Sequence, residues 1–314
     1  MEIPLDLART LAVVIDEGTF DAAARRLRLT PSAVSQRIKA LEQQLGRVLV
    51  VRAKPVRATD AGAAVVRLAR QLALLEHDTL ADFGLAPEST GPVTIALAVN
   101  ADSLGTWFLP ALARAMQRHP VVFDLHRDDQ DFTAGLLESG AVMGAVTSQS
   151  VPVAGCLVRP LGVMRYEAVA TPAFMARWLP DGATEAALAA SPLVDFDRRD
   201  DLQRDHLRAM GVDPEVPPRH FVPASNDFAT AVKLGLGWGM LPGFQSETEL
   251  AVGDLVRVGG DPIDVALYWQ QWNLRSPLLD AIAAELVDEA QRSLRPVQSV
   301  RPDGTSGAPS PSNS

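Results

Sequence analysis

Apolar positions in residues 5–17 (LDLARTLAVVIDE) recur at helical spacing through Leu7, Leu11, Val14 and Ile15, and Gly18 ends the run. Thr19 is placed to cap a second, short helix from Phe20 to Leu27, with Asp21 in its first turn. Ala22, Ala23 and Ala24 in that helix would let another helix approach closely. A turn at Arg28–Leu29 leads to Thr30, the cap of a third helix with Pro31 at its first position, where a missing N–H costs nothing. Val34, Ile38, Leu41 and Leu45 give this helix one apolar stripe, while Ser32, Ser35, Gln36 and Lys39 occupy a face that no core requires. Residues 48–59 (VLVVRAKPVRAT) read as two short strands around Lys54–Pro55 that expose Arg52, Lys54 and Arg57. Thr59 then caps a long helix from Asp60 to about Phe83. Its Val65, Leu68, Leu72, Leu75 and Thr79 alternate three and four residues apart, the spacing of a dimerisation seam; packing on its own domain is the plainer alternative.

Beyond a hinge at 85–92 (LAPESTGP) the pattern changes to apolar strands alternating with helices. The first set is a strand at 93–99, a helix from Ser103 to about Arg118, a strand at 121–127, a helix at 132–139 and a strand at 142–147. A second set begins near Tyr166, with strands at 166–171, 192–196, 219–224 and 237–241 and helices at 201–210 and 227–235. A strand at 264–272 and a helix at 277–294 close the ordered part. This alternation predicts a parallel sheet in a doubly wound α/β body. The tail after Pro296 is rich in Pro, Ser and Gly, a composition that predicts disorder.

Two short helices joined by a tight turn, the second with a polar hydrogen-bonding face, describe a helix-turn-helix over Phe20 to Lys39. Such a second helix enters the major groove of DNA. Gln36 suits adenine edges, the serines suit bases or phosphates, and Lys39 suits guanine or phosphate. Ser32 also lies where backbone amides attract a phosphate. A solvated face on an ordinary helix is the bland alternative; the basic hairpin that follows directly, placed as a wing along the backbone, weighs against it. Charge sharpens the picture. The net charge is −9, yet residues 1–59 carry ten Lys and Arg against six Asp and Glu, so a small basic head sits on an acidic body.

Other classes find little support. Cys156 stands alone, so no intrachain disulfide forms, and His77, His119, His126, His206 and His220 show no metal-ligand spacing. There is no nucleophile elbow or P-loop, and GLGWG at 235–239 lacks the strand–loop–helix context of a nucleotide loop. Trp107, Trp238, Trp269 and Trp272 read as packing. The N-terminus is not a signal sequence, and no apolar stretch approaches the roughly 18 residues that span a bilayer. The expectation is a cytoplasmic protein with no cofactor, no metal and no catalytic residue.

An α/β body of this kind holds its ligand at the carboxyl ends of its strands. Asn100, Asp102 and Ser103 arrive there after the first strand, Asp128, Asp129 and Asp131 after the second, and Thr147 at the third. Ser225, Asn226 and Asp227 arrive from the second set of elements at a helix start. Acids suit a cationic group, and a helix N-terminus with hydroxyls suits a carboxylate. An amino acid with a basic side chain meets both demands. Helix capping is the plain alternative for Asp102 and Asp227, and a solvated loop for Asp128, Asp129 and Asp131.

The head, GTFDAAARRLRLTPSAVSQRIKALEQQLGRVLVVR followed by AT-DAG, resembles the LysR-type transcriptional regulators, and the likeness runs to about residue 295. AVNADSLGTWF, the DDQD run, GAVT, GLGWGM and LYWQQW look like the family's ArgP/LysG branch. The resemblance implies an α+β multidomain chain. Its parts are a winged helix-turn-helix at 1–59, a dimerisation helix at 60–84, the hinge at 85–92, and an effector domain similar to periplasmic binding proteins. That domain has lobe I at 93–164 plus 266–295 and lobe II at 165–265, with the tail at 296–314 outside it. By the same resemblance, Pro31, Ser32, Ser35 and Gln36 meet DNA bases or backbone, and Arg52 is the wing arginine. Pro31–Ser32 stand where many members have Gln-Pro, and Gln36 where many have a basic residue, so the base preference at those positions is open. The implied partners are double-stranded DNA with a T-N11-A pseudo-palindrome, further copies of the chain (dimer or tetramer) and RNA polymerase. The implied role is a bacterial activator that answers to lysine or arginine and controls a basic-amino-acid exporter gene. The alternative is a family member that senses a different small metabolite.

Overall fold

The computed structural model describes residues 2–83, 92–127 and 133–296. The head folds as α1 (Leu5–Glu17), α2 (Phe20–Leu27), α3 (Pro31–Leu45) and a hairpin of β1 (Val50–Val51) and β2 (Arg57–Ala58), followed by α4 (Asp60–Asp82). Its punctuation is chemical. Thr19 accepts the Ala22 N–H, Thr30 the Ala33 N–H and Thr59 the Gly62 N–H, so each hydroxyl satisfies a donor the helix cannot. Gly18 and Gly46 end α1 and α3 in the left-handed region that favours glycine. Leu11, Val14, Ala23, Ala24, Val34, Ile38 and Leu41 close the head's core, with Leu45 packed at its edge. Val65, Val66 and Ala69 of α4 join the same core.

The body contains β3 (Val93–Val99), α5 (Ala101–Thr106), α6 (Phe108–Arg118), β4 (Val121–Arg127), α7 (Thr133–Glu138) and β5 (Gly144–Thr147). These lead into a long strand, β6 (Cys156–Ala170), then α8 (Pro172–Trp178), α9 (Glu185–Ala190), β7 (Leu193–Asp195), α10 (Leu202–Ala209) and β8 (Arg219–Phe221). The chain closes through α11 (Ser225–Lys233), β9 (Gly239–Pro242), α12 (Gly243–Val252), β10 (Val256–Arg257), β11 (Ile263–Trp272) and α13 (Pro277–Ser293). Seven strands form one sheet in the order β10-β6-β11-β5-β3-β4, with β9 also on β6. The expected parallel sheet holds only in part. β3 is parallel to β4 and β5, but β6 and β11 are antiparallel to each other and β11 is antiparallel to β5. These two long strands run through both halves of the body. The N-terminal part of β6, residues 156–165, was hidden because Pro160 and Gly162 read as breakers; a register shift at Leu267/Tyr268 absorbs them. The first body helix also divides at the buried Trp107, and α8, α9 and α12 had no sequence counterpart.

Helix α4 rests on the body as well as the head. Arg67 Nη1 donates to the Glu138 carbonyl at 2.9 Å, and Arg70 donates to the Gly140 carbonyl and to Asp16 of α1. Gly140 has φ +71°, and a Cβ there would collide with Arg67, so two separate constraints demand glycine. Leu74 is fully buried in the core of the body. Among the described residues no helix is long and apolar enough to cross a membrane. The predicted hinge, apart from Pro92, and the tail beyond residue 296 lie outside the described residues.

Candidate functional site

The first site is the outer face of α3. Pro31, Ser32, Gln36 and Lys39 are exposed and Ser35 is half-exposed, while Val34, Ile38 and Leu41 on the opposite face are wholly buried. Arg37, between them, reaches back to Thr10 at 3.3 Å and so belongs to the scaffold. The hairpin beside α3 is held by the buried Val56, whose N–H donates to the Gly18 carbonyl at 2.8 Å. It presents Arg52, Lys54 and Arg57 to solvent, with the Arg52 guanidinium 5.5 Å from the Phe20 ring centroid. One convex surface therefore carries hydroxyl, amide and cationic donors suited to phosphates and base edges.

Of the seam residues, Val65 lies in the head's own core. Leu68, Leu72 and Leu75 are half-buried, and Thr79 is exposed with its hydroxyl on the Leu75 carbonyl.

The second site is a cavity of about 160 Å³ between the two halves of the body. Asn100 and Asp102 reach it from the carboxyl end of β3 and the start of α5, and Arg127 from the end of β4. Facing them are Phe196, Asp197, Arg199 and Asp200 from the loop after β7, and Gln203 from α10. Asp102 accepts the Tyr166 hydroxyl at 2.8 Å and the Ser225 hydroxyl at 2.6 Å. Gln245 of α12 donates to Ser225 Oγ at 2.9 Å and to Asn226 Oδ1 at 3.3 Å. One carboxylate is thus tied to β6 and α11, with α12 one bond further on. Burial pushes the Asp102 acid upward against the pull of both hydroxyls.

Asp200 differs. Among the described residues its carboxyl accepts only backbone N–H groups, from Phe196 at 3.3 Å and Leu202 at 3.1 Å. Burial is the main cause that pushes it to about 7, and the neighbouring Asp195 and Asp102 push the same way. Asp195, deeper in lobe II, has Arg219 as an ion-pair partner. Across the cavity mouth, Arg127 donates to the Pro223 carbonyl at 3.0 Å and lies 5.9 Å from the Phe196 ring centroid.

The sequence expectations divide accordingly. Asn100 and Asp102 line the cavity, while Ser225 and Asn226 sit one bond behind it. Ser103 and Thr147 are fully buried and do not line it, and Asp227 is exposed in the first turn of α11, away from it. Asp128, Asp129 and Asp131 lie outside the described residues. Sequence reasoning missed Asp200, Gln203, Arg127, Tyr166 and Gln245. The run DFDRRDD at 195–201 was the one available signal, and it reads equally as an acidic start to α10. Among the described residues no group of His, Cys, Asp and Glu could hold a metal ion.

Comparison with known proteins connects the two sites. Residues 5–63 match the family profile described as bacterial regulatory helix-turn-helix protein, lysR family, and residues 88–291 match the LysR substrate binding domain. The HTH-type transcriptional regulator LysG of Mycobacterium tuberculosis is 47% identical over 293 residues, which are 91% of this chain and 95% of that one. A crystal structure of ArgP from Mycobacterium tuberculosis superposes with a TM-score of 0.80 at 46% identity, covering 93% of this chain and 98% of the other. Full-length LysG from Corynebacterium glutamicum with bound effector Arg superposes with a TM-score of 0.74 at 39% identity, covering 93% and 100%. All of these are regulators, and none is an enzyme. Two profiles in this order, with relatives alike over nearly their whole length, place the chain in the LysR family of bacterial transcriptional regulators.

Proposed function

We propose that this regulator binds double-stranded DNA through the α3 face and the β1–β2 wing, and that it responds to a basic amino acid, arginine or lysine. The observation that carries the effector reading is the interlobe cavity, where carboxyls from both lobes, Asp102 and Asp200, meet beside Phe196 and Phe228. A flexible aliphatic stem with a cationic head fits such a lining. The arginine in the Corynebacterium glutamicum relative supports it. The relative named as a lysine export regulator in the same organism, 40% identical over 289 residues, supports control of an exporter gene as the output. Self-association along α4 through Leu68, Leu72, Leu75 and Thr79 would let two heads read half-sites about 34–36 Å apart in a T-N11-A operator, before RNA polymerase. Differential affinity of the effector for two arrangements of the dimer is then the physical basis of the response.

Thermal unfolding against the twenty amino acids tests this. Arginine or lysine at 100 times its dissociation constant stabilises the protein by about 2.7 kcal/mol, and neutral amino acids do not. A protein that still binds operator DNA but ignores both basic amino acids would leave the family assignment intact and overturn the effector.

A further inference from the structure

We propose that Asp200 and Gln203 of lobe II form the subsite for the side-chain cation of the effector. This rests on the basic-amino-acid reading above and assigns one group of the ligand to named atoms.

Two independent observations carry it. Asp200 is a cavity carboxyl without an ion-pair partner among the described residues, although Asp195, nearby in the same lobe, has Arg219. Gln203, 1% exposed, lines the same cavity, and its Oε1 has no hydrogen-bond partner among the described residues. Its amide cannot turn over to hide that acceptor. Nε2 donates to the Val194 carbonyl at 3.1 Å, a contact that only the NH2 side can make. Asp200, just before the N-cap of α10, and Gln203, in its first turn, line the same cavity. A carboxyl beside a vacant carbonyl oxygen is complementary to a guanidinium or a side-chain ammonium, which are all donor and no acceptor. Asp102 is less available for this role, because the Tyr166 and Ser225 hydroxyls already occupy it.

Among the described residues, charges around Asp200 come from several elements: Asp102 on α5, Arg127 on β4, Asp195 on β7 with Arg219 on β8, and Asp197 and Arg199 on its own loop. Burial pushes the Asp200 acid up to about 7. Binding therefore exchanges a proton for a cation. Protonated Asp200 loses its proton to solvent, and the carboxylate pairs with the ligand cation, which itself does not titrate in this range. From pH 8 to pH 6 the ionised fraction of the empty site falls about tenfold, and arginine affinity falls about tenfold with it.

The experiment is calorimetric titration of the full-length protein with L-arginine and with L-citrulline, its neutral isostere, at pH 6, 7 and 8. At pH 7 it is run in two buffers of different ionisation enthalpy to count protons. Wild type is expected to release a fraction of a proton per arginine at pH 7 and to lose about tenfold in arginine affinity from pH 8 to pH 6. Asp200→Asn is expected to flatten that profile and to weaken arginine tenfold or more at pH 8, while changing citrulline binding less than threefold. A flat wild-type profile with no proton release overturns the assignment and leaves the arginine response standing; this measurement holds even if the variant does not fold. A slope that survives in Asp200→Asn, or an equal loss for citrulline, places the proton or the cation elsewhere and also overturns it. Absence of arginine binding at every pH, with no response to lysine in the thermal test above, removes the effector reading and this inference together.

Discussion

In the head, the side chains offered to a partner stand on one helix, and a cap, a proline and a core stripe are enough to aim them. In the body, the acceptors around the cavity come from α5, the loop after β7, α10, α11 and α12, and the Asp102–Ser225 bond spans 123 residues. The difference is one of division of labour. Ser32, Gln36 and Lys39 are exposed side chains outside the head's core, whereas Asp102 also joins α5 to α11 and β6. Substitutions on the convex site should change recognition alone, and substitutions around the concave site should change recognition and folding together.

The largest expected effect probes the concave side without touching its lining. Asp195 is 1% exposed and pairs with Arg219. Asp195→Ala leaves a buried guanidinium uncompensated, which costs about 3–5 kcal/mol, read as a shifted urea or thermal midpoint. An unchanged midpoint would show that lobe II relaxes around the charge and would break the contrast. Next comes Gln36→Ala, which should weaken operator affinity by about 1–3 kcal/mol while leaving the melting temperature and arginine binding as they were. A fluorescence-anisotropy titration against operator DNA, beside a melt of the same sample, separates those readouts. The smallest effect is that of Thr30→Ala, which removes the acceptor for the Ala33 N–H and should cost about 1 kcal/mol. If DNA binding falls by much more than stability, the first turn of α3 needs its cap for aim as well as for helix formation.

How much of this was legible follows from the same division. Thr19, Thr30 and Thr59 cap where the sequence placed them, because capping is decided within three residues. Asp102 could be anticipated from its position at the end of a strand. Asp200 could not, because an acidic run before a helix has the same appearance whether it caps or faces a cavity, and only the closure of β6 and β11 across the lobes brings it opposite Asp102. Pro160 and Gly162 concealed half of β6, since local breakers carry no sign of a partner strand a hundred residues away. Val65 kept the spacing of a seam while packing inside the head, because periodicity marks an apolar face without naming what covers it.

The glycine seat under α4 has a mechanical consequence. The helix has 23 residues and is roughly 34 Å long, and lobe I grips it near its middle through Arg67, Arg70 and Leu74. From Leu74 to Asp60 the axis runs roughly 21 Å, so a tilt of about 10° at the grip sweeps the head end by about 4 Å. Stacked base pairs are spaced about 3.4 Å apart. A tilt of that size at the Gly140 seat would move the far end of the rod by about one base-pair spacing.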